Sequence, residues 1–103
     1  MSLEKVLTAD AVPPGRVEVV DVEGQAIAVC NVDGQFYAID DVCTHDGGPL
    51  DQGELMGNEI ECPRHGARFD VRTGRPLTLP AVIPVHTYQI EVRDGDVYVD
   101  PDS

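Results

Sequence analysis

Apolar and polar positions alternate with a period of two along most of this chain, as expected of strands with one buried face. Residues 16–22 (RVEVVDV) alternate with a slip at Val19-Val20, and Glu23-Gly24 turns them into residues 25–32. Asp33-Gly34 is a two-residue hairpin signal leading into residues 35–40. Shorter runs cover 58–62 and 67–71, after which Thr73-Gly74 turns the chain. Residues 86–92 and 96–99 flank a second hairpin at Arg93-Asp94-Gly95. Val12-Pro13-Pro14-Gly15 reads as a loop that follows one helical turn at Thr8-Ala9-Asp10. No stretch holds a helical period. Short strands with regular turns predict an all-β fold, an antiparallel sandwich or small barrel. At 103 residues, without linker or repeat, the chain reads as one domain, 1–103.

Composition narrows the partners. The chain has 7 basic and 19 acidic residues, a net charge of −12, which disfavours nucleic acid and anionic membrane and favours basic protein surfaces. No apolar run approaches the roughly 18 residues of a membrane span. Met1-Ser2-Leu3-Glu4-Lys5-Val6 has none of the features of a signal peptide, so a cytoplasmic protein is expected. Three cysteines do not make a disulfide framework, and a reducing compartment disfavours one.

The chemistry is concentrated in Cys43-Thr44-His45 and Cys62-Pro63-Arg64-His65, each followed closely by glycine. Both pairs fall in or beside loops carried on strands, where a rigid sheet can hold a ligand. Two thiolates and two imidazoles in the order Cys-His, Cys-His suit a centre with two non-equivalent metal atoms, one taking sulfur and the other nitrogen. That is the ligand set of a Rieske [2Fe–2S] centre. A Cys₂His₂ zinc site is the alternative, although a Cys-x-His bite is cramped for one tetrahedral ion. Charge counting shows the effect of the imidazoles. Two ferric ions, two sulfides, two thiolates and two neutral imidazoles sum to zero, so adding an electron costs less than with four thiolates. Cys30, between Val29 and Asn31, reads as a core residue, and His86 as a surface or edge histidine. Asp46 reads as exposed, and Gly47, Gly48 and Gly66 as positions for close backbone approach or positive φ.

The chain resembles a Rieske-type ferredoxin. The resemblance rests on Cys43-Thr44-His45-Asp46-Gly47-Gly48-Pro49-Leu50 and on Cys62-Pro63-Arg64-His65-Gly66-Ala67-Arg68-Phe69-Asp70, with Thr73-Gly74 and Leu79-Pro80. It implies a cluster-binding part of two hairpin loops at about 41–80, with Leu79-Pro80 in a third, covering loop. It implies one [2Fe–2S] cluster per chain, Cys43 and Cys62 on one iron, and His45 and His65 on the other, solvent-facing iron. Where respiratory Rieske proteins carry two further cysteines, this chain has Gly48 and Arg64. Where they carry a Ser and a Tyr hydroxyl, it has Ala67 and Phe69. Loss of those donors predicts a potential at the low end of the range.

The same resemblance implies a one-electron carrier rather than an enzyme. Its partners would be a flavin-dependent ferredoxin reductase as donor and a terminal non-haem iron oxygenase as acceptor. Acidic surface would make docking salt-sensitive. A mononuclear iron site needs two histidines beyond the cluster ligands, and only His86 remains. A small subunit of an assimilatory nitrite reductase and a zinc-stabilised interaction module are the other readings. A monomer is expected.

Overall fold

A computed structural model describes residues 3–44, 47–63, 66–79 and 83–103. The strands among them are β1 (Glu4–Thr8), β2 (Val17–Val22), β3 (Gln25–Val32), β4 (Gln35–Asp40), β5 (Glu54–Met56), β6 (Glu59–Glu61), β7 (Arg68–Asp70), β8 (Thr87–Arg93) and β9 (Asp96–Asp100). The all-β expectation is met. A six-stranded antiparallel sheet runs β1-β9-β8-β4-β3-β2, and a three-stranded sheet runs β5-β6-β7. The edges β1 and β2 come into contact, so the larger sheet curls into a nearly closed barrel. The small sheet and its loops are inserted between β4 and β8.

Three of the barrel's hairpins are two-residue turns with both φ positive: Glu23-Gly24 (52° and 84°), Asp33-Gly34 (51° and 91°) and Asp94-Gly95 (50° and 80°). Such turns match the right-handed twist of the strands they join. The arrangement also explains β3, which is buried on both faces. Ala28 and Cys30 point into one core, toward the small sheet; Ile27 and Val29 point into the barrel. The uninterrupted apolar run in β3 is therefore a strand covered twice.

The sequence slip at Val19-Val20 has the same origin, because β2 pairs with β3 in unbroken register. Val17 packs on the small-sheet side, Val20 and Val22 pack in the barrel, and Val19 is left 43% exposed.

Two strands had no counterpart in the hydrophobic pattern. In β1 the pairing with β9 shifts between Lys5 and Leu7, and Val6 and Leu7 both reach the barrel core. A bulge of this kind cancels the alternation that marks a strand. β5 has three residues and only Leu55 packed inward, too few to show a period. The expected helical turn is a 3-10 turn at Ala9–Ala11, one residue later than the pattern suggested.

Candidate metal centre

The site grows out of the end of β4. The Asp41 N–H donates to the Ala26 carbonyl at 3.0 Å, continuing the barrel's hydrogen bonding one residue beyond the strand. Its carboxylate accepts from the Asp51 N–H at 2.6 Å and so closes the base of the loop that carries Cys43. Asp41 is only 8% exposed. Burial, and then the neighbouring Asp51 carboxyl, push its pKa up to about 6.

Cys43 and Cys62 stand in matching backbone frames. The Cys43 N–H donates to the Gly48 carbonyl at 2.7 Å, and the Gly47 N–H donates back to the Cys43 carbonyl at 2.7 Å. In the second loop the Cys62 N–H donates to the Ala67 carbonyl at 2.7 Å, and the Gly66 N–H to the Cys62 carbonyl at 3.0 Å. Gly47 and Gly66 occupy the same place in each frame, at φ 78° and 74°, a conformation that glycine adopts at no steric cost. Gly48 serves instead through its carbonyl.

Both cysteines are fully buried and share one apolar core with Leu50, Ile60, Ala67 and Phe69. As metal ligands the two sulfurs would be thiolates, and a metal centre would supply the positive charge that such a core requires of them. His45 and His65, the other two expected ligands, lie outside the described residues, as do Asp46, Arg64 and Pro80. In sequence the histidines stand at the second and third positions after their cysteines. Two thiolates with two imidazoles is the donor set that a Rieske-type [2Fe–2S] cluster takes.

A third segment touches both cysteine loops through its described residues. Phe69 bridges to Pro76, and the Leu77 N–H donates to the Arg68 carbonyl at 2.8 Å. The Thr78 hydroxyl accepts from the Arg68 N–H at 3.0 Å and donates to the Gly66 carbonyl at 3.4 Å, tying the segment to the Cys62 loop. On the far side the Thr44 hydroxyl donates to the Ile83 carbonyl at 2.6 Å, tying it to the Cys43 loop. The return strand is seated where the Val85 N–H donates to the Gly74 carbonyl at 2.8 Å. Gly74 has φ +80°, and a Cβ there would lie 2.0 Å from the Val85 oxygen, so only glycine fits. Leu79 and Ile83 are 79% and 59% exposed.

The remaining expected residues are placed as follows. Cys30 is fully buried in the same core as Cys43 and Cys62, as expected of a core residue. Burial and then the Asp41 charge push its thiol up to about 12. His86 is exposed, its Nε2 2.8 Å from the Ser103 carbonyl and its ring edge-on to Tyr88. Ala67 and Phe69 are fully buried beside the cysteines and carry no hydroxyl. Sequence reasoning missed Thr44, Thr78 and the Asp41–Asp51 closure. Thr44 lay within the quoted motif, but its partner is 39 positions away and leaves no local signal.

The Rieske [2Fe–2S] domain model matches residues 2–89. The chain is 44% identical over 96 residues to the ferredoxin CarAc of Metapseudomonas resinovorans, covering 92% of this chain and 90% of that protein. It is 39% identical to the ferredoxin of carbazole 1,9a-dioxygenase from Nocardioides aromaticivorans IC177, with a TM-score of 0.94 over 98% of this chain and 99% of that one. A chain in the complex of reduced oxygenase and oxidised ferredoxin in carbazole 1,9a-dioxygenase matches at TM-score 0.90 and 42% identity, over 94% of this chain and 91% of that one. A nitrite reductase (NADPH) small-subunit protein shares the fold at TM-score 0.82 but is 20% identical. With a family match over most of its length and relatives near two-fifths identity, this chain belongs to the Rieske [2Fe–2S] domain family.

Proposed function

We propose that this chain is a one-electron carrier. It receives electrons from a flavin-dependent ferredoxin reductase and delivers them to a terminal non-haem iron oxygenase. One [2Fe–2S] cluster per chain would be held by Cys43 and Cys62 on one iron and by His45 and His65 on the other. When bound, such a cluster takes up and releases a single electron. The observation that carries the reading is the pair of matched cysteine frames closing on one apolar core. The buried Cys43 and Cys62 would supply the two thiolates, while Thr44 bonds to Ile83 and Thr78 to Gly66 beside the two loops.

Several observations favour the carrier over its alternatives. The curated relatives include ferredoxin components of naphthalene and biphenyl dioxygenase systems, at 43% and 37% identity. The nitrite reductase likeness, at 20% identity, speaks for the fold alone. A catalytic iron held by two histidines and a carboxylate is disfavoured because three histidines serve the whole chain and two are assigned to the cluster. The exposed Leu79 and Ile83 would give a partner protein apolar contact at the cysteine-bearing end.

The test is an EPR spectrum of the dithionite-reduced protein, with iron, sulfide and zinc measured on the same sample. A rhombic signal averaging near g ~1.9, with about two irons per chain, is the expected result for mixed His/Cys ligation. A silent spectrum with stoichiometric zinc would overturn the carrier reading.

A further inference from the structure

Three acidic side chains are buried among the described residues: Asp41, Asp70 and Asp100. A carboxylate in such a place needs a cation or hydrogen-bond donors. Asp70 has the Arg72 guanidinium at 3.1 Å, which cancels its charge at short range. Asp100 ends β9, where its Oδ1 accepts from the Asp102 N–H at 3.0 Å and its charge acts on Glu23. Asp41 differs from both. It has no ion pair among the described residues, and the groups that stabilise its charged form are the backbone N–H donors of Leu50 and Asp51. Amide dipoles solvate a carboxylate but leave its net charge in place.

The local structure puts that charge on the cysteine side of the molecule. Asp40 ends β4, and its carboxylate accepts from the hydroxyl of Tyr88, a residue of the barrel core with Ile27 and Ala38. Asp41 follows, and its carboxylate turns instead into the base of the Cys43 loop, accepting from the Asp51 N–H. Its charge reaches Cys30 and helps to raise that thiol. Cys30 packs in one core with Cys43 and Cys62. The field of Asp41 therefore acts inside the core that holds both cysteine ligands.

A fixed charge in an apolar core acts through a low dielectric and is little screened by salt. Reduction adds one negative charge to the centre, and a fixed carboxylate beside it disfavours that state.

We propose that the buried Asp41 carboxylate is a positioning residue for electron transfer that lowers the potential of the cluster by its fixed negative charge. The inference rests on the carrier reading and adds to it a named group outside the ligand set. A lower potential makes the reduced chain a stronger electron donor to its acceptor. Asp41 would act in the same direction as the missing hydroxyls at Ala67 and Phe69, but through charge rather than through lost donors.

The test is voltammetry of the cluster-loaded full chain at about pH 8. Asp41→Asn keeps an oxygen that can accept from the Asp51 N–H and removes the charge. At a fixed potential its ratio of reduced to oxidised protein should rise about three- to tenfold, a midpoint up to about 59 mV higher for a one-electron couple. The rise should be the same at about 0.02 M and about 0.5 M salt. Asp41→Ser, a second uncharged acceptor, should rise likewise, with the EPR g values of the parent retained in both variants. Asp94→Asn makes the same charge change at the exposed tip of the β8–β9 hairpin and should leave the midpoint where it is. Equal midpoints for the parent and both Asp41 variants would overturn the proposal, as would a rise that disappears in high salt or one matched by Asp94→Asn. Variants that lose the cluster or change its g values would assign Asp41 to holding the loop and overturn the electrostatic role. A parent chain that binds no cluster would instead overturn the carrier reading, and this inference with it.

Discussion

The Thr44 hydroxyl and the Ile83 carbonyl, 39 positions apart in sequence, meet at 2.6 Å and fasten the segment after Thr78 to the Cys43 loop. A neutral hydrogen bond of this kind contributes about 0.5–1.5 kcal/mol, enough to change opening of the segment by a few-fold to tenfold. Thr44→Val keeps the shape and removes the donor. It is expected to speed bleaching of the iron–sulfur absorbance by a chelator about three- to tenfold, whereas Thr44→Ser should behave as the parent. Identical bleaching rates for all three proteins would show that this bond does not hold the segment down.

Asp70 closes β7 against the turn that follows. Its carboxylate accepts from the Arg72 N–H at 2.9 Å and from the Arg72 guanidinium at 3.1 Å. The Arg72 hydrogen bond is the chief reason that its pKa is lowered from the ordinary carboxylate range. The unfolded chain therefore binds more protons between the two pKa values, and stability rises with pH there. The contribution is complete above the unfolded value of about 3.9 and is lost as pH falls through the folded one. Asp70→Asn should cost about 1–3 kcal/mol at pH 7 and flatten the acid limb of the stability profile. Urea unfolding between pH 3 and pH 7 tests this, and an unchanged acid limb would remove Asp70 from the account.

These two relationships also separate what the sequence discloses from what it hides. Asp33-Gly34 and Asp94-Gly95 announce their hairpins because the turn chemistry is local, and β3 and β4 follow with matching bounds. The cysteine loops are legible for the same reason, since ligand spacing is a local property. What stays hidden depends on distant partners. Val6 and Leu7 look unlike a strand because the bulge opposite β9 turns both inward. The Asp41–Asp51 closure and the Thr44–Ile83 bond join residues whose types are ordinary for loops and strands.

Cys30 offers a check on the core that the cysteine loops share. It is fully buried, and burial with the nearby Asp41 charge raises its thiol to about 12. At pH 8 only about one thiol in ten thousand would then be the reactive thiolate. With the cluster in place, iodoacetamide at pH 8 is expected to leave Cys30 unmodified, as read by mass spectrometry, and to label it in urea. Labelling of Cys30 in the folded, cluster-loaded protein would show that this core opens to solvent.

Ala67 and Phe69 bear on the potential. Both are fully buried in the core that holds Cys43 and Cys62, and neither can donate a hydrogen bond from its side chain. The reduced state of a cluster carries the extra negative charge, so donors near its sulfurs favour reduction and their absence lowers the potential. The parent protein is therefore expected below about +100 mV, in the lower part of the roughly −150 to +300 mV range of such centres. Restoring a hydroxyl by Ala67→Ser, or by Phe69→Tyr, should raise the midpoint by an amount on the order of tens of mV. Ala67→Val adds bulk to the same packed site without a donor, and its cost of about 1–3 kcal/mol in overpacking should appear in stability rather than in potential. Voltammetry of the three variants beside the parent decides between these effects. A rise in Ala67→Val equal to that in Ala67→Ser would assign the change to packing or water exclusion, and a parent midpoint above about +100 mV would mean that other donors replace the missing hydroxyls.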